Sequence, residues 1–269
     1  MSKELVSYAE KMAAEAKKFA DAEPVSGMGG ARISLKGGIM TLVDGDEKAD
    51  LEGNQICAII VDHVMVNEYY ASAYSAETTA SPKCFAIAHK AERMYPHAAT
   101  LEHPYFEPQH DDCATCPWDK FGTAATGKGK ACKNKRRLGL LLAGEYRTLK
   151  GGRGAELEVF EDVDHYAETP LIELTLPTMS AVEYGMYVKQ VASSAARPPY
   201  GVFTRIYVVP DKQSQFRVKF EMLEQVPDGL LETIIGRNAM AAERLLQPFS
   251  PPREEEPKAQ AGGIKGLRR

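Results

Sequence analysis

The chain has 269 residues, of which 44% are apolar and 26% are charged, and its formal net charge is -4. The apolar share is enough for a real core, which excludes a wholly disordered protein and fits one elaborated domain or two small ones. The net charge excludes a polycation, so any contact with nucleic acid must come from a local basic patch. No apolar run approaches the roughly 18 residues of a membrane span, so we expect no membrane association.

The first thirty residues predict a helix followed by a flexible linker. Segment 23–30 contains a proline and three glycines, which end the helix. The charged N-terminus lacks the apolar stretch of a secretory signal, so we expect a cytoplasmic protein with reduced thiols. Apolar and alanine side chains recur at helical spacing at Leu5, Ala9, Met12, Ala16 and Phe19.

A β-rich core domain is predicted over residues 31–246. Gly37 and Gly38 interrupt the first extended segment, which predicts a bulge or a sharp bend. The run 55–70 is β-branched and aromatic, and it is long enough for a bent central strand. Further strands are predicted at 137–143, 155–161 and 170–176, and the clearest hairpin pairs 200–209 with 216–223.

Two helices and a tail complete this outline. Thr178 or Ser180 is predicted to cap an amphipathic helix that ends at about Ala196. A final helix is predicted over 228–246. Residues 247–269 are rich in Pro, Glu, Gly, Lys and Arg and cannot bury enough apolar surface to order themselves, which predicts a disordered tail.

Four cysteines predict a zinc site. Cys113 and Cys116 form a Cys-x-x-Cys turn that presents two thiolates to one ion, and Cys84 and Cys132 can complete a tetrahedron. A redox pair usually needs a strand-to-helix setting, and disulfides need an oxidising compartment, so zinc is the favoured interpretation. One of four histidines could replace Cys84 as the fourth ligand, namely His89, His97, His103 or His110.

The segment that holds these cysteines, about 81–137, interrupts the β pattern and is predicted to be an insertion. Hydrophobic burial alone cannot fix so Gly- and Pro-rich a segment, so a metal would supply the cross-link that orders it. A closed shell of four thiolates leaves no open position for water, so the expected zinc is structural rather than catalytic. Cys57 lies in an apolar run and is interpreted as a small buried hydrophobe.

The same segment carries a dense positive charge, since six of the ten residues from 128 to 137 are Lys or Arg. Such side chains neutralise phosphates, and neighbouring aromatic rings can stack on unpaired bases. Trp118 is either a stacking platform or the hydrophobic plug of a zinc module. The candidate nucleic-acid contacts in this segment are Lys128, Lys130, Lys133, Lys135, Arg136, Arg137, Trp118 and Phe121.

A second candidate contact surface lies in the predicted hairpin, where Arg205 and Tyr207 share one face of the first strand. The alternative is that the aromatic ring fills the core while the charge is merely solvated. We find no paired nucleophile and base and no nucleotide loop, so we expect no enzyme. Four acidic residues keep a weak hydrolase alternative open, namely Asp44, Asp46, Asp111 and Asp112.

Four longer motifs lie along the chain: Pro-x-Cys-Phe-Ala at 82–86, Cys-Ala-Thr-Cys-Pro-Trp-x-x-Phe-Gly at 113–122, Gly-Lys-Gly-Lys-Ala-Cys-Lys-Asn-x-Arg-Arg-Leu at 127–138 and Arg-Pro-Pro-Tyr-Gly-Val-Phe-Thr at 197–204. Together they resemble a group of tailed-bacteriophage proteins, some of which are labelled single-stranded DNA-binding proteins. The resemblance covers about residues 31–225. In design, the chain is also similar to the helix-destabilising proteins of T-even phages, which set a zinc module into an oligonucleotide-binding (OB) barrel.

This resemblance implies an α+β fold with an antiparallel, OB-like β barrel, a zinc-binding insertion and flanking helices. It implies a non-enzymatic protein that binds single-stranded DNA in phage replication or recombination, in the host cytoplasm. The expected partners are single-stranded DNA and phage replication or recombination proteins, and a homo-oligomer is compatible with the sequence. The alternative is a zinc-containing regulatory or recombination-accessory factor that binds a protein or duplex DNA.

Overall fold

A large β-sheet organises the residues that the computed structural model describes, which are 30–71, 81–148 and 155–252. The predicted helix within 1–30 lies outside the described residues. The strands are β1 Arg32–Ser34, β2 Thr41–Asp44, β3 Glu47–Asp50, β4 Gln55–Tyr69, β5 Cys84–Ala88, β6 Lys133–Thr148, β7 Ala155–Val159, β8 Ile172–Leu176, β9 Val202–Asp211 and β10 Gln215–Gln225. The helices are α1 Ala99–Glu102, α2 Val163–Glu168, α3 Thr178–Ala195 and α4 Asp228–Leu245.

The strands follow the order β10-β9-β4-β6-β8-β1-β2-β3, with β5 added beside β4 and β7 beside β6. The pairing of β1 with β8 is parallel, and the other described pairs are antiparallel. Within the described residues the two terminal strands do not pair, so the sheet is open. The predicted α+β class is confirmed, whereas the OB-like barrel is not.

One helix covers each face of this sheet. On the first side, which we call the α3 face, Ile60, Leu138 and Leu140 pack against Tyr184 and Val191 of α3. On the second side, which we call the α4 face, the core includes Cys57, Ile59, Leu141, Phe203, Ile234 and Ala241. Both sides of the central strands are therefore buried, which explains why residues 56–61 form an unbroken apolar run instead of alternating with polar residues.

Cys57 has the role predicted for it. Its side chain is fully buried in the core of the α4 face. Burial disfavours the thiolate and raises the pKa of Cys57 to about 12, so this thiol is an inert packing group.

A β-bulge interrupts β4 at its centre. Ile60 pairs with Leu140 and Asp62 with Gly139, so Val61 is an extra residue without its own partner on β6. As a result, the alternation of side chains shifts by one position, and His63 faces α3. Its Nδ1 lies 3.2 Å from the hydroxyl of Tyr184.

Most predicted strands and helices are confirmed, with local differences. Gly37 and Gly38 have φ values of 68° and 78° and form a 3-10 turn that reverses the chain from β1 into β2, which is a sharper change than a bulge. Helix α3 begins at Thr178 without a side-chain cap. The hydroxyl of Ser180 instead accepts a hydrogen bond from the Val218 amide at 3.0 Å.

The first residues of the predicted tail pack onto the α4 face. The ring of Phe249 lies 5.1 Å from that of Phe85. The carbonyl of Ser250 accepts a hydrogen bond from the hydroxyl of Ser81 at 2.6 Å. The ordered chain therefore extends past residue 246, and residues 253–269 lie outside the described part of the structure.

His63 predicts a pH dependence of stability. Burial lowers its pKa; Asp62 opposes this shift, and Arg136 and His89 add to it. The unfolded chain therefore binds more protons than the folded chain below about pH 6.5, so stability is present above that pH and is lost as the pH falls. We expect urea unfolding of the wild type to show a larger loss between pH 7.5 and 5.5 than His63→Gln, and equal losses would contradict this assignment.

Candidate metal centre

The four candidate ligands lie in the connection between the two longest strands. Strands β4 and β6 pair from Cys57 with Gly144 to Glu68 with Lys133. The chain between them makes β5 and a series of turns that end at residue 132. We call residues 81–132 the cysteine module, which corresponds to the predicted insertion without the first residues of β6.

All four cysteines line one small cavity. Cys84 is the first residue of β5, Cys132 directly precedes β6, and Cys113 and Cys116 are in the intervening loop. The cavity has a volume of about 20 Å³, which is room for about one water-sized particle. The four thiols are free of disulfides. The structure therefore brings together the four residues that sequence spacing selected.

The thiols of Cys84, Cys113 and Cys132 are protonated in the absence of an ion. Burial raises the pKa of Cys113 to about 11, and burial also raises the pKa values of Cys84 and Cys132. Zinc requires thiolates, so zinc binding would displace these protons. Burial and then the Asp119 carboxylate raise the pKa of Cys132, and negative charge on Cys113, Cys116 or Cys84 would raise it further.

Two observations on this cavity point in different directions. The four cysteines share it, yet among the described residues no group of three or more Cys, His, Asp or Glu side chains has the arrangement of a ready metal site. The shared cavity makes the four cysteines neighbours, and a bound zinc ion would have to draw their sulfurs to about 2.3 Å from a common point.

The histidines are less well placed than Cys84 to serve as the fourth ligand. Only His110 among the four candidates lines the cavity, and it does so together with all four cysteines. His89 pairs with Asp62 at 2.9 Å, and His97 stacks on Phe85 with 5.4 Å between ring centroids. The Nδ1 atoms of His103 and His110 accept hydrogen bonds from the backbone amides of Tyr105 and Asp112.

The two aromatic candidates of the module have different environments. Trp118 lines the cavity, and its ring lies 5.3 Å from that of Tyr69. At 37% exposure it forms part of the cavity wall, which fits the hydrophobic plug better than a free platform. Phe121 is 83% exposed and has one ring contact of note, with the ammonium of Lys130 at 5.6 Å.

The basic run divides into exposed and internally paired side chains. Lys128 and Lys133 are exposed, and Arg136 is half-buried. Lys130 forms an ion pair with Asp119 at 2.9 Å, and Lys135 forms one with Glu68 at 2.6 Å. With Arg137, which pairs with Glu173, three of the six predicted phosphate contacts already form ion pairs within the protein.

Arg137 is removed from the candidate DNA contacts because it is 3% exposed. Its guanidinium donates hydrogen bonds to the carbonyls of Leu245 and Gln247 at 2.8 and 2.9 Å. Its Nε lies 3.4 Å from Glu173, which is an ion-pair contact rather than a hydrogen bond. Arg137 thus satisfies carbonyls at the end of α4, a structural role that the cationic run conceals in the sequence.

Arg205 and Tyr207 lie far from the cysteine module. Arg205 pairs with Cys57 near the start of β4, whereas Cys84 pairs with Tyr69 at its end, about 40 Å away at the rise of a strand. Cys57 also belongs to the α4 face, and the bulge places Tyr69 on the α3 face. These two candidates therefore cannot extend the surface of the module.

The side chains of this pair also interact mainly with each other and with their neighbours. The guanidinium of Arg205 lies 4.6 Å from the ring centroid of Tyr207. It donates to Gln55 at 2.8 Å and forms an ion pair with Glu221 at 3.2 Å. This arrangement favours the interpretation of a solvated charge.

Two residues near the cavity were missed by sequence reasoning. Asn67 is buried in β4 and lines the cavity, and its side chain accepts a hydrogen bond from Asn134 at 2.8 Å. The available signal was a polar residue at the end of the apolar run 64–66.

The four acidic hydrolase candidates do not form one site, since Asp44 and Asp46 flank the β2–β3 turn while Asp111 and Asp112 belong to the module.

No protein-family model, curated protein or solved structure matches this chain. None of the described helices has the length and apolar character needed to cross a membrane.

Proposed function

We propose that this chain is a non-enzymatic single-stranded DNA-binding protein, with a structural zinc ion held by Cys84, Cys113, Cys116 and Cys132. The observation that carries the proposal is Phe121. Its ring is 83% exposed, and it lies in the cysteine module next to Lys120 and seven positions before Lys128. An exposed aromatic ring can stack on an unpaired base.

The charge around this ring supports the proposal. Lys120 and Lys128 are exposed, and neither forms an ion pair among the described residues, so both are free to neutralise phosphates. Lys133 is exposed on the first position of β6, and its ammonium donates to the Lys130 carbonyl at 2.6 Å. The cationic groups and the ring thus belong to the same short stretch of chain.

The ring also favours single strands over duplex DNA. In a duplex the faces of the bases are already stacked, so a protruding phenyl group gains nothing without disrupting them. In a single strand every base offers a free face, which makes the contact tolerant of sequence. The zinc ion would fix the loop that presents the ring, because Phe121 lies between Cys116 and Cys132 in the chain.

We further propose the setting that the sequence resemblance implies, which is phage DNA replication or recombination in the host cytoplasm. The OB-like barrel is part of that resemblance, but the proposal depends on the cysteine module and not on closure of the sheet. Contacts with phage replication or recombination proteins and assembly into a homo-oligomer belong to the same proposal.

Phe121→Ala should weaken binding to oligo-dT by about 5- to 150-fold, which corresponds to a loss of about 1–3 kcal/mol for one stacked base. The measurement is a fluorescence-anisotropy titration with labelled single-stranded and duplex oligonucleotides at two salt concentrations. We expect wild-type affinity for oligo-dT to exceed that for a duplex of equal length and to fall as salt increases.

The matched control for this variant is Leu101→Ala, which removes another apolar side chain of the module that is 80% exposed. Its effect on DNA affinity should be small, since an aliphatic side chain cannot stack. Equal losses in the two variants, or no measurable affinity of the zinc-loaded wild type for oligo-dT, would overturn the proposal.

A second candidate function is favoured by one observation. Tyr95 and Leu101 are also exposed apolar side chains of the module, and such groups can contact a protein partner. This is the regulatory or recombination-accessory factor considered above. Preference for duplex DNA, or binding of a replication or recombination protein without DNA affinity, would favour it.

A further inference from the structure

A chain of polar contacts leads from the cysteine cavity to the basic run. The Asn67 side chain is buried in β4 and lines the cysteine cavity together with Cys113. The Oδ1 of Asn67 accepts a hydrogen bond from Nδ2 of Asn134 at 2.8 Å. The Oδ1 of Asn134 in turn accepts one from the ammonium of Lys130 at 2.9 Å.

The direction of these hydrogen bonds is fixed by the lysine. An ammonium group can only donate, so Asn134 must present its oxygen to Lys130 and its NH2 group to Asn67. Asn67 must then present its oxygen to Asn134, which leaves its own NH2 group for the sulfur of Cys113. Without the ammonium, both amides could rotate and offer an oxygen to the thiolate, which would repel it.

The ammonium is itself held in place. Asp119 forms an ion pair with Lys130 at 2.9 Å, and Asp119 also lines the cysteine cavity. The two contacts of Lys130 therefore lie on the cavity side of the module. Its neighbour Lys128 is exposed and forms no ion pair among the described residues. The two lysines are two positions apart and carry the same charge, but only one is tied to the cavity.

A four-thiolate zinc centre would need such an arrangement. Four thiolates and one Zn²⁺ carry a net charge of -2, and in a partly buried site this charge requires hydrogen-bond donors and nearby cations. Lys130 supplies a cation. Through hydrogen bonds it orients the side-chain amides of Asn134 and Asn67 so that an NH2 group faces the sulfur of Cys113.

We propose that Lys130 is a positioning residue of the zinc centre, which acts through Asn134 to aim the Asn67 amide at the Cys113 thiolate. This inference rests on the proposed zinc site and deepens it. It reassigns Lys130 from phosphate contact to metal retention.

The test measures zinc affinity by competition with a chromophoric chelator. Lys130→Met should bind zinc about 10- to 100-fold more weakly than the wild type, as expected for loss of an outer-shell partner. Lys128→Met should retain wild-type zinc affinity. Lys130→Arg should restore much of the loss, because a guanidinium also only donates.

Asn134→Leu provides a second variant, since it breaks the same chain of hydrogen bonds without removing a charge, and its zinc affinity should fall as well. In the cobalt-substituted protein, both Lys130→Met and Asn134→Leu should shift the sulfur-to-cobalt charge-transfer band. Zinc affinity of Lys130→Met equal to that of the wild type, or equal losses in Lys128→Met and Lys130→Met, would overturn the inference. A wild type without zinc would instead overturn the proposed metal site itself.

Discussion

Cys132→Ser is expected to lower the zinc content of the purified protein from about one equivalent to nearly none. A serine hydroxyl stays protonated near neutral pH and cannot replace a thiolate in the shell. Structural zinc sites contribute roughly 10–16 kcal/mol of apparent binding free energy, and the module has little apolar core to replace it. Elemental analysis measures the zinc directly.

In the same variant, loss of zinc should disorder the cysteine module while the sheet stays folded. The large core clusters on the two faces contain none of the four cysteines, so far-UV circular dichroism should change little. Limited proteolysis should cut within 89–131, and emission of Trp118, the single tryptophan, should shift because its ring lines the cavity. Cys57→Ala is the control, since that cysteine lies in the sheet core and should leave zinc content unchanged. Full zinc occupancy in Cys132→Ser would contradict the assignment.

Arg137→Met is expected to destabilise the fold by about 3–5 kcal/mol, the usual effect of breaking a buried ion pair on one side. The substitution removes the ion-pair contact of Glu173 with Arg137 and leaves the carbonyls of Leu245 and Gln247 without this donor. It also removes the cation that lies 5.1 Å from the ring centroid of Phe249. Equilibrium urea unfolding of the two proteins measures the difference.

Arg147→Met serves as the matched control because it makes the same chemical change on the surface of the same strand. Arg147 is 66% exposed and pairs with Glu145 and Glu158. Exposed pairs contribute about 0–1 kcal/mol, so its midpoint should stay near that of the wild type. A stable Arg137→Met protein that had lost DNA affinity would return Arg137 to the nucleic-acid interface.

The sequence was most informative where a physical requirement acts over a short stretch of chain. The Cys-x-x-Cys spacing indicated cysteines that line one cavity, and the apolar run of β4 predicted the central strand, because spacing and burial leave local patterns. Strand β5 was missed. Its five residues lie within a segment whose glycines, prolines and histidines mask any strand pattern.

Other features depend on contacts that no local pattern records. Arg136 and Arg137 are neighbours in one cationic run. Because side chains alternate along β6, Arg136 points toward α3 and Arg137 is buried under α4. Closure of a barrel likewise depends on whether β10 meets β3, strands that are separated by most of the chain. Sequence alone therefore identified the charges but not which of them were already paired.

The extra residue at the middle of β4 determines which face of the sheet each later side chain of that strand points to. Because strand side chains alternate with a period of two, a chain lacking Val61 would invert every later position of the strand. Tyr69 and the paired Cys84 would then look to the same side as Arg205 and Tyr207. A single inserted amino acid thus places Tyr69 with Cys84, and Arg205 with Tyr207, on opposite faces of the sheet.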